Sequence, residues 1–160
     1  MACDARLQRD IMGRFATGVT VVTTRYQNGE ITGMTANAVM SLSLDPPLVV
    51  VSVDKTATMH EALSDGQCYA INILARDQEH LSNRFATPGP KDFSDIDLKD
   101  GETGAPILSG TLGYLDCRLV NALAAGDHDM FVGEIVAGDL GEGAPLLYFG
   151  GGYRSIGDAE

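Results

Sequence analysis

Basic residues are few in this sequence, with 11 Lys and Arg against 22 Asp and Glu and a formal net charge of −11 at pH 7. A surface with this balance repels nucleic acids and anionic membranes, and no basic stripe offsets it. We therefore expect neither nucleic acid nor a membrane as a partner. An anionic ligand would have to be bound locally, by backbone N–H groups, helix N-termini and a few selected cations.

Cysteine is scarce and irregularly placed. The three cysteines, Cys3, Cys68 and Cys117, are widely spaced, odd in number and outside any CxxC or Cys/His cluster. This pattern argues against a disulfide framework and against a zinc site, and we predict no metal centre. Because Cys68 and Cys117 lie in apolar, strand-like runs, we expect both to pack as small hydrophobic residues.

Long hydrophobic runs are missing as well. No apolar run approaches the roughly 20 residues that cross a bilayer. The amino terminus, MACDARLQRD, lacks the hydrophobic segment of a secretion signal, so a cytoplasmic location is expected. The length of 160 residues fits one domain with a sizeable core, and we predict a single domain over residues 1–160.

The common signatures of nucleotide-binding loops, hydrolases and zinc proteases are absent. The sequence has no GxGxxG or GxxxxGK[ST] loop between a strand and a helix, no GxSxG elbow and no HExxH helix. A site in this chain must therefore use other features.

Short β-branched and apolar runs dominate the sequence. GVTVVTTRY and ITGMTA flank Asn28-Gly29, a strong hairpin signal. LVVVSV follows the turn Asp45-Pro46-Pro47, in which neither proline is expected inside a sheet, and CYAINIL and several runs after residue 106 add further strands. Residues 87–106 are rich in Pro, Gly and Asp and predict a mobile or variable surface loop. The pattern favours a barrel or sandwich of antiparallel strands.

Only two or three short helices are predicted. Asp4 is a plausible N-cap, Thr58 has capping-box spacing to Glu61, and Asp77 is expected to begin the last helix. His60 and His80 fall within helices among charged neighbours and are expected to be exposed. The apolar faces of the first and last helices comprise Leu7, Ile11, Phe15, Leu81 and Phe85.

The stretch TANAVMSLS stands directly before the buried strand LVVVSV and has two interpretations. Thr, Asn and Ser near strand ends often only satisfy turn backbones. Alternatively, Ala36 and Ala38 are small so that a ligand can approach the main chain, while Thr35, Asn37 and Ser41 supply hydrogen bonds to it.

Three charged or titratable positions are equally ambiguous when each is taken alone. Lys55 could be a solvated strand end, Arg84 a surface residue of a helix, and His128 a solvated turn residue. Each could also contact a ligand, because Arg binds phosphate with a planar fork and a turn histidine can donate at a cleft.

Taken together, the ordered motifs resemble the flavin reductase family, the small reductases of two-component flavin-dependent monooxygenases. The resemblance covers Phe15 to Tyr153 and rests on FATGVTVVTT, GMTANAVMSLSLDPPLVVVSVDK, YAINIL, QEHLSNRFA, AGDHDMFVGEIV and LLYF. It implies an FMN-binding split barrel: mainly β, antiparallel, with Greek-key topology and a few short flanking helices, assembled as a homodimer.

The resemblance also implies a set of site residues. The segment from Thr35 to Ala38 would hold the ribityl chain and phosphate of FMN or FAD, although Ala38 stands where the family often has serine. His128, in the turn Gly126-Asp127-His128, would orient the nicotinamide, and Arg154 would approach the substrate side. The full set of implied cofactor contacts is Met34, Thr35, Ala36, Asn37, Ala38, Ser41, Ser52, Val53, Asp54, Lys55, Ser82, Asn83, Arg84, Phe85 and Tyr153.

The implied activity is hydride transfer from NADH or NADPH to FMN or FAD, with reduced flavin diffusing to a monooxygenase partner. This step needs no general acid or base, which fits the lack of a strong acid–base constellation. The alternatives are a non-catalytic flavin-binding electron carrier, a related split-barrel oxidase acting on a small substrate, and a barrel that binds no flavin.

Overall fold

The structure, a computed structural model, describes residues 3–157, so the ends of the predicted domain, residues 1–2 and 158–160, lie outside it. The strands are β1 (Thr17–Gly18), β2 (Thr20–Arg25), β3 (Ile31–Ala36), β4 (Val39–Leu44), β5 (Pro47–Asp54), β6 (Cys68–Ile73), β7 (Leu98–Asp100), β8 (Pro106–Leu108), β9 (Gly113–Ala125), β10 (His128–Leu140), β11 (Leu147–Phe149) and β12 (Gly152–Arg154). The helices are α1 (Ala5–Met12), α2 (Thr58–Gly66) and α3 (Glu79–Ala86), with a 3₁₀ turn at Arg76–Gln78. The expectation of a mainly β chain with few short helices is confirmed.

The main sheet has seven strands in the order β3-β2-β6-β9-β10-β5-β4, and each neighbouring pair is antiparallel. Its two edge strands, β3 and β4, are joined by only Asn37 and Ala38. The three peptide units from Ala36 to Val39 span at most about 11 Å. The sheet must therefore curl until its edges meet at this junction, where Ser52 N on β5 donates to Ala38 O at 3.0 Å.

The core lies inside the curled sheet and beneath α2 and α3. Tyr69, Phe131 and Cys117 are fully buried with the valines of β5 and the inner face of α2. Leu81 and Phe85 are buried from α3, as predicted. Burying one such side chain stabilises the fold by about 1.5–3 kcal/mol, so these contacts hold the helices on the sheet. Cys68 is also buried with a free thiol, which confirms that it and Cys117 pack as small apolar residues.

The first helix is capped as predicted, because Asp4 Oδ1 accepts from Leu7 N at 2.8 Å. The helix ends at Met12, so Phe15 lies beyond it. All eight residues of α1 are described and none is buried. Ile11 and Phe15 are 57% and 68% exposed, so the apolar stripe faces outward.

Other boundaries differ from the sequence expectation. α2 begins at Thr58, which confirms the predicted helix start, but its N-cap is Ala57 and no side chain caps it, so Thr58 does not form a capping box. The last helix begins as a 3₁₀ turn, with Asp77 inside the turn instead of capping it. Pro47 is the first residue of β5, a position where a strand tolerates proline. The predicted loop 87–106 also contains a strand, β7, which pairs with β8.

Candidate functional site

Four of the expected contact residues are joined by one hydrogen-bond chain across β3, α3 and β12. Thr35 Oγ1 donates to Ser82 O at 2.6 Å. Ser82 Oγ lies 2.7 Å from the Tyr153 hydroxyl, which donates to Asn83 Oδ1 at 3.1 Å. Because Tyr153 uses its proton on Asn83, Ser82 is the donor in the middle bond. The chain of bonds brings residues from three distant parts of the sequence to one place.

This hydrogen-bonded chain borders a cavity of about 200 Å³. Its lining residues are Val19, Thr35, Ala36, Asn37, Ser82, Ala86, Tyr148 and Tyr153. Asn37 is exposed and donates from Nδ2 to Thr17 Oγ1 at 3.1 Å. It also lines two neighbouring cavities, one of about 430 Å³ that includes Ser41 and one of about 780 Å³ against α1. The junction of β3 and β4 is therefore the point where three cavities meet.

A further cavity of about 320 Å³ adjoins the first one, because Ala86 lines both. Met34 and Phe85 contribute to its wall, together with residues 56–59, residues 87–89 and Lys91. Phe85 itself is only 1% exposed and packs in the core. A Cβ on Gly33 would lie 3.0 Å from the Phe85 ring, so glycine is needed for this close approach.

Asp54, Lys55 and His128 form a second group, at the end of β5. His128 pairs with Asp54 in the β10–β5 register. Lys55 binds the β9–β10 turn twice, from its backbone N to Asp127 O at 3.0 Å and from Nζ to Gly126 O at 2.8 Å. His128 Nδ1 lies 2.7 Å from Asp127 Oδ1. A neutral ring that donates from Nδ1 to this carboxylate leaves Nε2 free to accept a hydrogen bond.

Strand β5 connects this second group to the β3–β4 junction. Ser52 is half-buried and bonds Ala38, whereas Val53 is 1% exposed and belongs to the core. The backbone N–H and hydroxyl of Thr56 bind the Asp54 carboxylate and lower its pKa below the ordinary value. The backbone at the end of β5 is thus held mainly by hydrogen bonds between neighbouring residues of this segment.

The pairing of His60 with Asp129 was not predicted from the sequence. His60 is half-buried, so the expectation that it is exposed is wrong; its Nε2 lies 2.7 Å from Asp129 Oδ2. This hydrogen bond, with a smaller effect of Lys55 at 3.5 Å, lowers the pKa of Asp129. The period-2 pattern of β10 contained the signal, because Asp129 falls on the same face as the buried Phe131. An inward carboxylate requires a partner. His80 is exposed, as expected.

Arg84 is already paired within the protein. Its guanidinium binds both oxygens of Asp95, at 2.5 and 3.0 Å, and donates to Asp92 O at 3.1 Å. The pairing raises the pKa of Arg84 and lowers that of Asp95. In this conformation the arginine therefore anchors the segment after α3.

Residues 3–157 hold neither a cluster of metal-ligating side chains nor a helix that could span a membrane. Over this range no group of three or more His, Cys, Asp or Glu side chains is arranged to hold a metal ion. The helices found there are too short or too polar to cross a lipid bilayer.

A family model described as the flavin reductase like domain matches residues 12–157. The chain belongs to this family. The resemblance drawn from the ordered motifs is therefore confirmed.

Individual flavin reductases agree with the family match. The chain is 42% identical over 150 residues to the FMN reductase (NADH) SmoA of Agrobacterium fabrum, covering 94% of this chain and 85% of that protein. It is 41% identical over 143 residues to the reductase component of a 4-nitrophenol 4-monooxygenase/4-nitrocatechol 2-monooxygenase of Rhodococcus opacus, covering 89% and 76%.

Solved flavin reductase structures share the fold. The flavin reductase PheA2 superposes with a TM-score of 0.89 at 43% identity, covering 98% of this chain and 100% of that one. The NADH:FAD oxidoreductase SgcE6 of Streptomyces globisporus, solved in complex with NAD and FAD fragments, gives a TM-score of 0.91 at 36% identity, covering 98% and 96%.

Proposed function

We propose that this flavin reductase uses NADH to reduce FMN or FAD and supplies the reduced flavin to a partner monooxygenase. The observation that carries the proposal is the convergence of Thr35, Asn37, Ser82 and Tyr153 on one cavity, within a chain that belongs to the flavin reductase family. NADH is favoured as the donor because relatives such as SmoA are named for it.

The donor set of the site suits a flavin. A flavin combines a flat ring, a ribityl chain with hydroxyls and, in FMN and FAD, a phosphate. The cavity at the β3–β4 junction offers hydroxyl and amide groups from Thr35, Asn37 and Ser82 beside the apolar Val19. Ala36 and Ala38 add little bulk, so a ligand can reach the backbone there. These features match the ribityl chain and the ring edge.

When bound, the flavin accepts a hydride from the nicotinamide. The role of the protein is to bind, orient and exclude water. Thr35 to Ala38 would hold the ribityl chain, and Ser41 with Ser52 to Lys55 would border the ring. His128 would orient the nicotinamide through the Nε2 that Asp127 leaves free. No side chain has to transfer a proton in this scheme.

The remaining expected contacts belong to the same proposal. Met34 and Phe85 line the cavity next to the ribityl site, and Ser82 lines the ribityl cavity itself. Asn83 and Arg84 follow Ser82 on α3 and would contact the cofactor from the same helix. Val53 and Phe85 would contribute through packing, since both are buried.

The finer description of the fold is also a proposal. The curled seven-stranded sheet, with its edges meeting at Asn37–Ala38, supports a split barrel with Greek-key connections in one domain over residues 1–160. The outward apolar side chains of α1 and β4 support a homodimer. A cytoplasmic location stays a prediction.

The activity is tested by mixing the purified protein with NADH and free FMN or FAD and following NADH oxidation. A reductase consumes NADH in proportion to the flavin added. A non-catalytic electron carrier would bind flavin but consume no NADH. A barrel without a flavin site would leave flavin fluorescence unchanged on titration, and this result would overturn the proposal.

A further inference from the structure

The two cations that the family resemblance assigns to the cofactor are both held by protein groups. The guanidinium of Arg84 binds both carboxylate oxygens of Asp95. The ammonium of Lys55 donates to Gly126 O, and its Nζ lies 3.5 Å from Asp129 Oδ1. Each already has an acidic partner in the protein, Asp95 or Asp129, which competes with a phosphate for the cation. A phosphate site therefore calls for another cation, since the net charge of −11 provides no general attraction.

Lys91 meets this requirement. It lines the 320 Å³ cavity with Met34 and Phe85 and is the only charged residue among those that line it. Its ammonium donates to the carbonyl of Thr87, a neutral partner. No carboxylate of residues 3–157 forms a salt bridge with it.

The partial burial of Lys91 favours the binding of an anion beside its ammonium group. Desolvation lowers the pKa of its ammonium. An anion beside a partly desolvated cation restores the charged form and interacts more strongly than it would in bulk water. A ligand phosphate would supply this charge.

The position of the cavity indicates which part of a ligand reaches Lys91. The cavity shares one lining residue, Ala86 of α3, with the ribityl site. A phosphate attached to a chain held at Thr35 can therefore extend into the cavity that contains Lys91.

We propose that Lys91 binds a phosphate group of the bound nucleotide, and that Arg84 is a positioning residue that holds the segment carrying Lys91. This inference rests on the proposed function. Arg84 fixes that segment through Asp92 O and Asp95, which flank the turn in which Ser94 N donates to Asp92 Oδ1 at 2.9 Å. The phosphate belongs either to the flavin or to the nicotinamide dinucleotide.

The first test compares FMN with riboflavin, which lacks the phosphate, by fluorescence titration of the wild type and of Lys91→Met. We expect the Kd for FMN to rise about tenfold, as for loss of one charge-assisted hydrogen bond, while the Kd for riboflavin stays within about twofold. Riboflavin binding also reports that the variant is folded. Lys91→Arg should retain FMN affinity, and Lys99→Met is the charge-matched control, because Lys99 lies over the Tyr114 ring.

A second arm identifies the source of the phosphate. If FMN affinity is unchanged but the Kd for NADH rises about tenfold in Lys91→Met, the phosphate is that of the dinucleotide, and the proposal stands. Unchanged affinity for both ligands would overturn the role of Lys91 and leave the proposed function intact. A wild type that binds neither ligand would overturn both.

A double-mutant cycle tests the positioning role. If Arg84 acts through Lys91, Arg84→Met should weaken binding of the phosphate-bearing ligand in the wild type but have little further effect in Lys91→Met. Independent losses that add would mean that Arg84 contacts the phosphate itself, and would overturn that part of the proposal.

Discussion

At the scale of single residues, the three histidines lie in three different environments. His128 stands at the end of β10 with its Nδ1 on Asp127, His60 is half-buried against Asp129, and His80 is exposed on α3. Only His128 combines a partly exposed ring with a free nitrogen beside the end of β5. We therefore expect it to matter for the nicotinamide.

His128→Ala should lower kcat/KM for NADH by about tenfold, the effect of losing one hydrogen bond to a bound ligand. The Kd for FMN should be unchanged, because His128 is not among the residues that line the cavity of Thr35 and Tyr153. Steady-state kinetics with NADH and fluorescence titration with FMN measure the two effects. His80→Ala is the matched control. Unchanged NADH kinetics in His128→Ala would remove the histidine from the site.

Asp129→Asn should reduce stability in a pH-dependent way. The pKa of Asp129 is lowered, first by its hydrogen bond with His60 and then by Lys55. A carboxylate with a folded pKa below the unfolded value of about 3.9 stabilises the fold above that value, and the contribution is lost as the pH falls through the folded pKa. The free energies of unfolding of variant and wild type should therefore differ at about pH 6 and approach each other as the pH falls below about 3.9.

Urea unfolding at several pH values measures this difference. Asp10→Asn, on the exposed surface of α1, controls for the change in net charge. A constant gap between Asp129→Asn and the wild type across the acid range would show that the pair with His60 does not contribute through ionisation.

At the scale of elements, the two long strands β9 and β10 form the centre of the sheet and allow little extra volume. A Cβ on Gly133 of β10 would lie 2.5 Å from Tyr69 Oη and 2.9 Å from Cys117 Cβ. Tyr69 is fully buried and donates to Phe131 O at 3.1 Å, so its ring cannot move without losing this bond. The packing of β10 at position 133 therefore requires glycine, because a Cβ would overlap Tyr69 and Cys117.

Gly133→Ala should destabilise the fold by about 1–3 kcal/mol through overpacking. Gly18→Ala is the control, because a Cβ there meets no atom within 4 Å. Thermal or urea unfolding of both variants measures the cost. Equal stability of Gly133→Ala and the wild type would mean that Tyr69 and β10 can separate more easily than the contacts suggest.

Several elements could be predicted because their signals are local. The Asp4 cap needs only the neighbouring residues, and Asn28-Gly29 needs only the two strands that it joins. The contacts of His60 and Arg84 could not be predicted, because their partners are chosen by the tertiary structure. His60 and Asp129 are 69 residues apart and meet only when α2 packs against β10. The motif order pointed to Thr35, Asn37 and Ser82, which line one cavity, whereas no motif pointed to Lys91, which lines the neighbouring one.

At the scale of the whole molecule, apolar side chains remain exposed on one edge of the sheet. Met40, Leu42 and Leu44 of β4 are 55%, 45% and 91% exposed. An edge strand with outward apolar residues is a ready surface for another chain. Ser41, an expected flavin contact, lies on the same strand. Association through β4 would therefore act directly on the proposed site.

In the proposed homodimer, Leu42→Lys should favour the monomer, because a charge buried without a partner at the contact is strongly unfavourable. We expect the dimer Kd to rise at least about tenfold, measured by sedimentation over a range of concentrations. Ser64→Lys, at an exposed position of α2, introduces the same charge elsewhere and is the control. Because Ser41 is adjacent, the Kd for FMN should rise in parallel with the loss of dimer. A wild type that is monomeric and binds FMN with full affinity would exclude a dimer-dependent site, and the apolar edge of β4 would then need another explanation.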